Sequence, residues 1–242
     1  MSKATPQISV VVPVHDEEGA AAALAREIAE ALKGRAFEMI FVDDASRDGT
    51  RAELLAAKAG LPQLRVLSHA SNAGQSRAVR TGVLAARGEI ILTLDGDGQN
   101  PPGDGPALID LLQSLPPAVA LVGGRRAKRQ DSEAKRWASR WANRIRKRLL
   151  NDDADDTGCG LKAFRREAYL RLPYFDHMHR YLPALMIREG FENRYLDVGH
   201  RPRGVGRSKY TNWSRLKASV SDLLGVMWLK TRARRPGAVS EL

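Results

Sequence analysis

Short apolar runs alternate with amphipathic stretches along the first half of the chain. The β-branched run Ile8–Val14 predicts a strand, and Leu24, Ile28 and Leu32 predict a helix over residues 17–32, because residues four apart share one helical face. Further strands are predicted at 37–42, 64–67 and 89–94, with helices at 48–59 and 75–86 between them. Such alternation is typical of an α/β fold in which helices cover both faces of a mostly parallel sheet.

The fourth predicted strand ends abruptly in two carboxylates, Asp95 and Asp97, followed by Gln99. Alternate residues of an extended chain point to the same side, so we expect these three side chains to converge at the strand end. Oxygen ligands of this kind suit Mg²⁺ or Mn²⁺ better than zinc. An isolated Asp-x-Asp more often marks a solvated turn, and the metal interpretation therefore depends on the other strand ends.

Residues that suit a ligand site also follow the other predicted strands, and open sheets of this type bind ligands outside the carboxyl ends of their strands. They are Pro13, His15, Asp16 and Glu17 after the first strand, Asp43, Asp44 and Ser46 after the second, and Asn72, Gly74 and Gln75 after the third. Each of these residues, taken singly, also has a purely structural explanation, since Ser46 or Asp48 can cap a helix and His15 can be a core or surface histidine. Their occurrence at consecutive strand ends favours one shared site.

The composition limits the classes of ligand that such a site could bind. The chain has 242 residues, 43% of them hydrophobic, which suffices for one large α/β domain or two small ones. Lys and Arg outnumber Asp and Glu by 39 to 28, and the net charge of +11 favours nucleotides, phospholipid surfaces, phosphorylated substrates or nucleic acid. The single Cys159 excludes an internal disulfide and fits a reducing cytoplasm. The sequence contains neither an evident signal peptide nor the ~18 consecutive apolar residues that span a bilayer.

Four ordered motifs carry a resemblance to a known family. They are Val12-Pro13-x-x-Asp16-Glu17, Val42-Asp43-Asp44-Ala45-Ser46-Arg47-Asp48-Gly49-Thr50, Asn72-Ala73-Gly74-Gln75 and Asp95-Gly96-Asp97-Gly98-Gln99-x-Pro101-Pro102. Their order resembles family 2 glycosyltransferases of the GT-A fold, and most nearly the dolichyl- or polyprenyl-phosphate sugar synthases, such as dolichol-phosphate mannosyltransferase. The resemblance covers residues 1–210, which we interpret as one GT-A domain. His15, Asp16, Ala45 and Gly98 replace the commoner Tyr, Asn, Gly and Leu, and none of these changes removes a carboxylate.

The resemblance implies a nucleotide-sugar donor, UDP- or GDP-linked, and a Mg²⁺ or Mn²⁺ cofactor held by Asp95, Asp97 and Gln99. The implied nucleotide-sugar-binding residues are Pro13, His15, Glu17, Asp44, Asn72, Gln75 and Asp95, with Arg203, Ser208 and Lys209 in a basic loop. This loop resembles a lid that closes on the diphosphate. Taken alone it would equally suit a nucleic-acid-binding arm, but the upstream motifs favour the lid and we expect no nucleic-acid partner.

The resemblance also implies a polyprenyl phosphate acceptor whose phosphate binds Arg125, Lys135, Arg136 and Ser139. Arg125 or Arg126 follows an apolar strand predicted at 118–122, and a guanidinium there is well shaped for phosphate. Lys135 and Ser139 lie four apart in a predicted helix over 131–150 and share a face. For each single residue of this basic helix face, a solvent-exposed position without a binding role is about as good an explanation.

The candidate catalytic residues are Asp97, Arg125 and Asp156. Asp156 lies in Asp155-Asp156-Thr157-Gly158-Cys159-Gly160-Leu161-Lys162-Ala163-Phe164, which resembles the family's Asp-Thr-Gly segment followed by a core strand. A carboxylate there can act as general base for a hydroxyl acceptor, but a phosphate acceptor is already an anion, and we therefore assign Asp156 to positioning or metal-shell support. The resemblance implies inversion at the anomeric carbon. The alternatives are transfer to a polysaccharide, lipid or protein hydroxyl with Asp156 as base, and a non-enzymatic basic module that binds membranes or nucleic acid.

The segment 211–242 differs in character from the rest. Between residues 212 and 235 apolar side chains, including Trp213 and Trp228, recur at helical spacing and basic residues flank them. This pattern predicts an amphipathic helix at an anionic membrane surface, with a helix packed on the domain or in a dimer contact as the alternative. We accordingly expect peripheral association with the cytoplasmic, inner face of the plasma membrane, and any membrane-spanning partner to be a separate chain.

Overall fold

The computed structural model describes residues 5–126, 146–150, 152, 154, 156–201 and 212–234, and for 212–219 it describes the backbone alone. Its strands are β1 (Ile8–Val14), β2 (Phe37–Asp43), β3 (Leu64–Ser68), β4 (Ile90–Thr93), β5 (Val119–Arg126), β6 (Lys162–Arg165) and β7 (Glu192–Val198). Its helices are α1 (Ala21–Ala31), α2 (Thr50–Ala57), α3 (Gln75–Ala85), α4 (Gly105–Ser114), α5 (Arg166–Leu170), α6 (Leu182–Glu189) and α7 (Asn212–Thr231), and residues 146–150 are also helical.

These strands form one seven-stranded sheet in the order β3-β2-β1-β4-β6-β5-β7. β1 pairs in parallel with β2 and β4, β2 with β3, and β5 with β7. β6 runs antiparallel between β4 and β5. The mostly parallel sheet predicted from the hydrophobic pattern is confirmed. β6 lies where the resemblance implies a core strand after the Asp-Thr-Gly segment, and its antiparallel direction was not predicted.

Helices cover both faces of the sheet, as predicted. On one face Leu24 and Ile28 of α1 pack with Leu108 of α4 against the buried side chains of β1 and β2. On the other face Val79 of α3 packs with Leu185 of α6 and with residues of α5 and α7. Strands covered on both sides are uniformly buried, which explains why most residues of β1 and β2 are apolar and why neither strand shows a regular apolar–polar alternation.

Helix α1 begins at Ala21, four residues later than the predicted start at 17. Asp16 and Gly19 adopt positive φ angles of 52° and 82°, so the chain between them turns and cannot continue a right-handed helix. The turn carries residues 15–17 over the carboxyl ends of the strands, where the candidate site lies.

The predicted C-terminal helix is present as α7, and its two sides differ. Val226 is buried against the domain, the Lys230 ammonium donates to the carbonyl of Leu150, and the Nε of Arg188 donates to the carbonyl of Leu229 at 3.1 Å. On its other side Val220, Leu224 and Trp228 remain 52%, 61% and 59% exposed. The helix therefore packs on the domain and still presents an apolar stripe to solvent. None of the helices in the described ranges is long and apolar enough to cross a bilayer.

Candidate active site

A cavity of about 760 Å³ opens where β1 and β4 end. Pro13 and Asp95 line it on the side of these strands, and Gln75 lines it from the start of α3. Its wall continues through Arg126 at the end of β5 and the segment 157–160 to Arg180. The cavity thus lies at the strand ends where the sequence predicted a ligand site.

Asp95 is the carboxylate that projects into this cavity. The side-chain amide of Gln75 donates to its Oδ1 at 2.8 Å, which joins two predicted site residues. Burial and, after it, repulsion from the nearby Asp97 raise the pKa of Asp95 above its ordinary value. The two carboxylates are therefore close enough to interact, and a cation between them would relieve their repulsion.

The chain does not remain extended from Asp95 to Gln99, contrary to the prediction. β4 ends at Thr93, Gly96 and Asp97 form a turn, and Gly98 has a positive φ of 70°. Within this turn Asp97 Oδ1 accepts the backbone N–H of Gln99 at 3.1 Å. A turn, not strand alternation, thus brings Asp97 near Asp95, and the side chain of Gln99 makes no hydrogen bond within the described part of the chain.

Gly160 is packed so closely against the Asp95 side chain that a Cβ at residue 160 would require the carboxylate to move. A Cβ at Gly160 would lie less than 3.0 Å from the carboxylate atoms of Asp95. The carbonyl of Gly160 accepts a hydrogen bond from Thr93 Oγ1 at 3.0 Å, which holds the glycine beside the end of β4. The position of the Asp95 carboxylate therefore depends on the absence of a side chain at residue 160.

Asp95 and Asp97 fit a hard divalent cation by their chemistry. Within the described ranges no group of three or more His, Cys, Asp or Glu residues forms a complete metal cage. Mg²⁺ does not require one, because it is usually held by one or two carboxylates together with substrate phosphates and water. The pair would supply two oxygen ligands, and a nucleotide diphosphate could supply others.

The loops after β1 and β2 are joined by side-chain hydrogen bonds. The backbone N–H of Asp16 donates to Ser46 Oγ at 3.0 Å, and that of Glu17 donates to Thr50 Oγ1 at 2.8 Å. His15 is half-buried beside them, with Nε2 3.4 Å from Asp16 Oδ2. Asp48 Oδ1 accepts the N–H of Thr50 at 3.0 Å, in agreement with its interpretation as a residue that caps the start of α2.

Asp44 is a buried anchor for the loop after β3. Its two oxygens accept the backbone N–H groups of Ala73 and Gly74 at 2.9 and 2.8 Å, and His69 Nδ1 lies 2.7 Å from Oδ1. The side chain of Asn72 donates to the Asp44 carbonyl at 3.2 Å. The structure thus brings Asp44 and Asn72 together, and the hydrogen bonds of both side chains described above are made to groups of the protein itself.

Arg126, not Arg125, lines the cavity. Neighbouring residues of a strand point to opposite sides, and Arg125 pairs with Asp197 of β7 at 2.6 Å on an exposed surface. Arg126 instead forms a two-pronged ion pair with Asp156, with Nε–Oδ2 2.6 Å and Nη2–Oδ1 2.7 Å. The pair is largely buried, with side chains 14% and 9% exposed, and its hydrogen bonds raise the pKa of Arg126.

Lys162, His179 and Arg180 also line the cavity, and they were not among the predicted site residues. Lys162 is buried and its ammonium donates to the carbonyl of Cys159, while burial lowers its pKa. The available signal for it was a lysine between Leu161 and the apolar pair Ala163-Phe164. His179 and Arg180 lie in a 3₁₀ turn, Met178–Arg180, that has no recognisable motif of its own.

Six predicted site residues lie outside the described ranges. They are Lys135, Arg136 and Ser139 of the basic segment and Arg203, Ser208 and Lys209 of the basic loop. Their assignments to the acceptor phosphate and to the nucleotide sugar stay predictions.

The sequence matches known proteins over most of its length. Residues 9–172 match the family model for glycosyl transferase family 2. The chain is 37% identical over 225 residues to an undecaprenyl-phosphate 4-deoxy-4-formamido-L-arabinose transferase of Pseudomonas aeruginosa, which covers 91% of this chain and 65% of the relative. It is 34% identical over 238 residues to a dodecaprenyl-phosphate galacturonate synthase of Rhizobium johnstonii, covering 96% of this chain and 69% of the relative. The chain therefore spans about 65% of the length of the first of these relatives.

Solved structures share the fold. Glucosyl-3-phosphoglycerate synthase from Mycobacterium tuberculosis, in complex with Mg²⁺ and UDP, superposes with a TM-score of 0.69 at 19% identity, covering 97% of this chain and 83% of that one. A mannosyltransferase from Pyrobaculum calidifontis in complex with GDP-Man and Mn²⁺ superposes with a TM-score of 0.65 at 19% identity, covering 97% and 66%. At this identity the similarity concerns the fold, and it confirms the predicted α/β GT-A class.

Proposed function

The chain belongs to glycosyl transferase family 2, and from that premise we propose that it transfers a sugar from a nucleotide sugar to a polyprenyl phosphate. Relatives named for undecaprenyl phosphate and dodecaprenyl phosphate support this acceptor class. Structural neighbours in complex with UDP and Mg²⁺ or with GDP-Man and Mn²⁺ support a nucleotide sugar and a divalent cation. Because the chain covers only part of the length of these relatives, the proposed substrates also need support from its own residues.

The residues around Asp95 are suited to hold the nucleotide sugar. Mg²⁺ or Mn²⁺ bound by Asp95 and Asp97 would offset the negative charge that develops on the departing diphosphate. Gln75 orients the Asp95 carboxylate, and Gly160 leaves the space that this carboxylate occupies. The linked loops that carry His15, Glu17 and Asp44 would then face the nucleoside, in the roles that the family resemblance implies.

The ion pair of Arg126 and Asp156 is the main observation in favour of a phosphate rather than a hydroxyl acceptor. Both oxygens of Asp156 accept hydrogen bonds from one guanidinium at 2.6 and 2.7 Å. A proton transferred to this carboxylate would break a largely buried ion pair, so Asp156 is poorly suited to act as a general base. A phosphate acceptor needs no base, whereas a hydroxyl acceptor does. The geometry therefore favours a phosphate nucleophile, which would displace the diphosphate in line and invert the anomeric carbon.

The exposed stripe of α7 supports a site of action at a membrane surface. Val220, Leu224 and Trp228 lie on one side of the helix and are more than half exposed. Buried in the headgroup region, such side chains would attach the domain peripherally and bring a lipid phosphate to the cavity. The inner face of the plasma membrane and a separate membrane-spanning partner belong to this proposal.

The proposal is tested by assaying the purified chain with UDP- and GDP-sugars, Mn²⁺ and a short, water-soluble prenyl phosphate. We expect a lipid-linked sugar, detected by mass spectrometry, from at least one nucleotide sugar, and its loss when a chelator removes the cation. Absence of product with every nucleotide sugar, although the folded chain binds one of them, would contradict the proposed acceptor.

A further inference from the structure

One wall of the cavity is a turn that also contacts helix α7. The turn is Met178–Arg180, and its last two residues line the cavity. His177, which precedes it, places Nδ1 2.9 Å from Asp222 Oδ2 of α7. Met178 is buried in the same apolar cluster as Val226 of α7. The turn therefore connects the cavity to the helix that carries the exposed apolar stripe.

His179 brings a hydrogen-bond donor to this wall. Ser76 Oγ accepts the backbone N–H of His179 at 3.3 Å and lies 2.7 Å from its Nδ1. The Ser76 hydroxyl has no other acceptor within the described ranges, so its proton is placed on Nδ1 and the ring proton on Nε2. Burial and, after it, the positive charge of Arg180 lower the pKa of His179 well below its ordinary value, which keeps the ring neutral.

Arg180 adds a positive charge beside this donor. Its side chain makes neither an ion pair nor a hydrogen bond within the part of the chain that the structure describes. Two other cations of the cavity are engaged by the protein. Arg126 is bound to Asp156 through two hydrogen bonds. Lys162 donates to the carbonyl of Cys159. Of these three cations, Arg180 is the one whose charge is left for an anionic ligand.

The turn lies beside the expected position of the donor diphosphate and does not coincide with it. That diphosphate would share a cation with Asp95 and Asp97, and Gln75 holds the Asp95 carboxylate at 2.8 Å. The next residue of α3, Ser76, holds His179 instead. Consecutive helical residues point about 100° apart, so the two contacts leave α3 in different directions. An anion at the turn would therefore lie next to the metal-bound diphosphate without taking its place.

A lipid acceptor would reach this wall from the side of α7. The exposed stripe of that helix is proposed to lie in the headgroup region of a membrane, which is the level at which a lipid carries its phosphate. The contact between His177 and Asp222 places the turn directly against the helix. The anion that this wall fits best is therefore the phosphate of a prenyl lipid.

We propose that His179 and Arg180 bind the phosphate of the polyprenyl acceptor. The inference deepens the proposed function and rests on it for the reaction. Arg180 would pair with two phosphate oxygens, and the Nε2–H of His179 would donate to one of them. The third oxygen would form the bond to the anomeric carbon, while the bond from that carbon to the diphosphate breaks and its electron pair leaves with the diphosphate. No proton has to be removed from this nucleophile.

Binding measured without turnover tests the site. Geranyl phosphate is titrated by calorimetry into the chain loaded with Mn²⁺ and whichever of UDP and GDP it binds, so that no transfer can occur. Arg180→Gln should weaken binding of geranyl phosphate roughly 10- to 150-fold, because charge-assisted hydrogen bonds are lost, and should change the affinity for the nucleoside diphosphate less than about 3-fold. Arg180→Lys should retain part of the binding, since lysine keeps the charge without the two-pronged geometry.

Two further variants complete the comparison. His179→Phe removes the ring N–H and should weaken binding of geranyl phosphate at least about 3-fold, with urea unfolding as the check that the protein is folded. Arg51→Gln, which removes an exposed arginine of α2, is the matched control and should change neither affinity.

The outcomes separate this site from the proposed reaction. Unchanged binding of geranyl phosphate by a folded Arg180→Gln protein, no binding by the wild type, or an equal loss for geranyl phosphate and the nucleoside diphosphate would overturn the inference. If the wild type transfers sugar to geranyl phosphate and Arg180→Gln binds it equally well, the site alone is refuted. Arg180-dependent binding without transfer from any nucleotide sugar would refute the proposed reaction and leave the phosphate site standing.

Discussion

Gly160→Ala should disable the site without removing any charged group. The new Cβ would lie less than 3.0 Å from the carboxylate of Asp95, and the contact is with a side chain that can rotate away. The rotation would break the 2.8 Å hydrogen bond from Gln75 and move the carboxylate away from the metal position. Overpacking of this kind costs about 1–3 kcal/mol of folding free energy, whereas displacement of a reacting group by ~1 Å can reduce the rate roughly 100-fold.

The assay separates these two effects. Urea unfolding gives the loss of stability, and calorimetry with Mn²⁺ and the preferred nucleotide sugar gives the loss of binding. Gly60→Ala is the matched control, because nothing lies within 4 Å of a Cβ at that position. We expect the control to behave as wild type and Gly160→Ala to remain folded but lose metal-dependent binding and turnover. Wild-type binding and turnover in a folded Gly160→Ala protein would refute the assignment of Asp95 to the metal.

Three further predictions concern the metal, the sheet and the membrane surface. Asp97→Ala should leave the protein folded and abolish Mn²⁺-dependent binding of nucleotide sugar in calorimetry. Wild-type binding of the nucleotide sugar by the Asp97→Ala protein in the presence of a chelator would contradict the metal site. Burial raises the pKa of Glu38, but hydrogen bonds from an arginine, a backbone N–H and a serine outweigh it and hold this pKa below its ordinary value. The ionised Glu38 carboxylate therefore stabilises the fold above about pH 4.5, and this stabilisation is lost as the pH falls further. Glu38→Gln should lower the free energy of unfolding in urea by about 1–3 kcal/mol at pH 7 and make it less sensitive to acid pH. Leu224→Gln with Trp228→Gln should weaken cosedimentation with anionic liposomes at least about 10-fold, since each buried apolar side chain contributes ~1.5–3 kcal/mol, whereas Leu84→Gln, at a site 55% exposed, should have no effect.

The parts of the fold predicted from the sequence are those governed by local hydrophobic pattern. β1 and β2 are mostly apolar because the sheet is covered on both faces, and their ends follow from where the apolar residues give way to polar ones. Pro13, Gln75 and Asp95 could therefore be placed at one cavity before their distances were known. The same reasoning predicted α7, whose apolar positions recur at helical spacing.

The parts that could not be predicted depend on contacts between distant segments. β6 is four residues long, and its position between β4 and β5 is determined by pairing with strands far away in sequence. This pairing brings Gly160 against Asp95 and buries Lys162. His179 reaches the cavity through its contact with Ser76, 103 residues away. The turn at Gly98 likewise ended the alternation that was expected to align Asp95 with Gln99, because a positive φ is a backbone choice that side-chain pattern does not reveal.

The chemical identity of the nucleophile is the central point of the account, and one rate comparison tests it most directly. Initial rates are measured for a short prenyl phosphate and for the matched prenol, with the same nucleotide sugar and Mn²⁺. Because Asp156 is held by Arg126 and is poorly placed to take a proton, we predict transfer to the phosphate and no measurable transfer to the alcohol. Efficient transfer to the prenol, abolished by Asp156→Asn, would contradict the account and assign Asp156 as a general base.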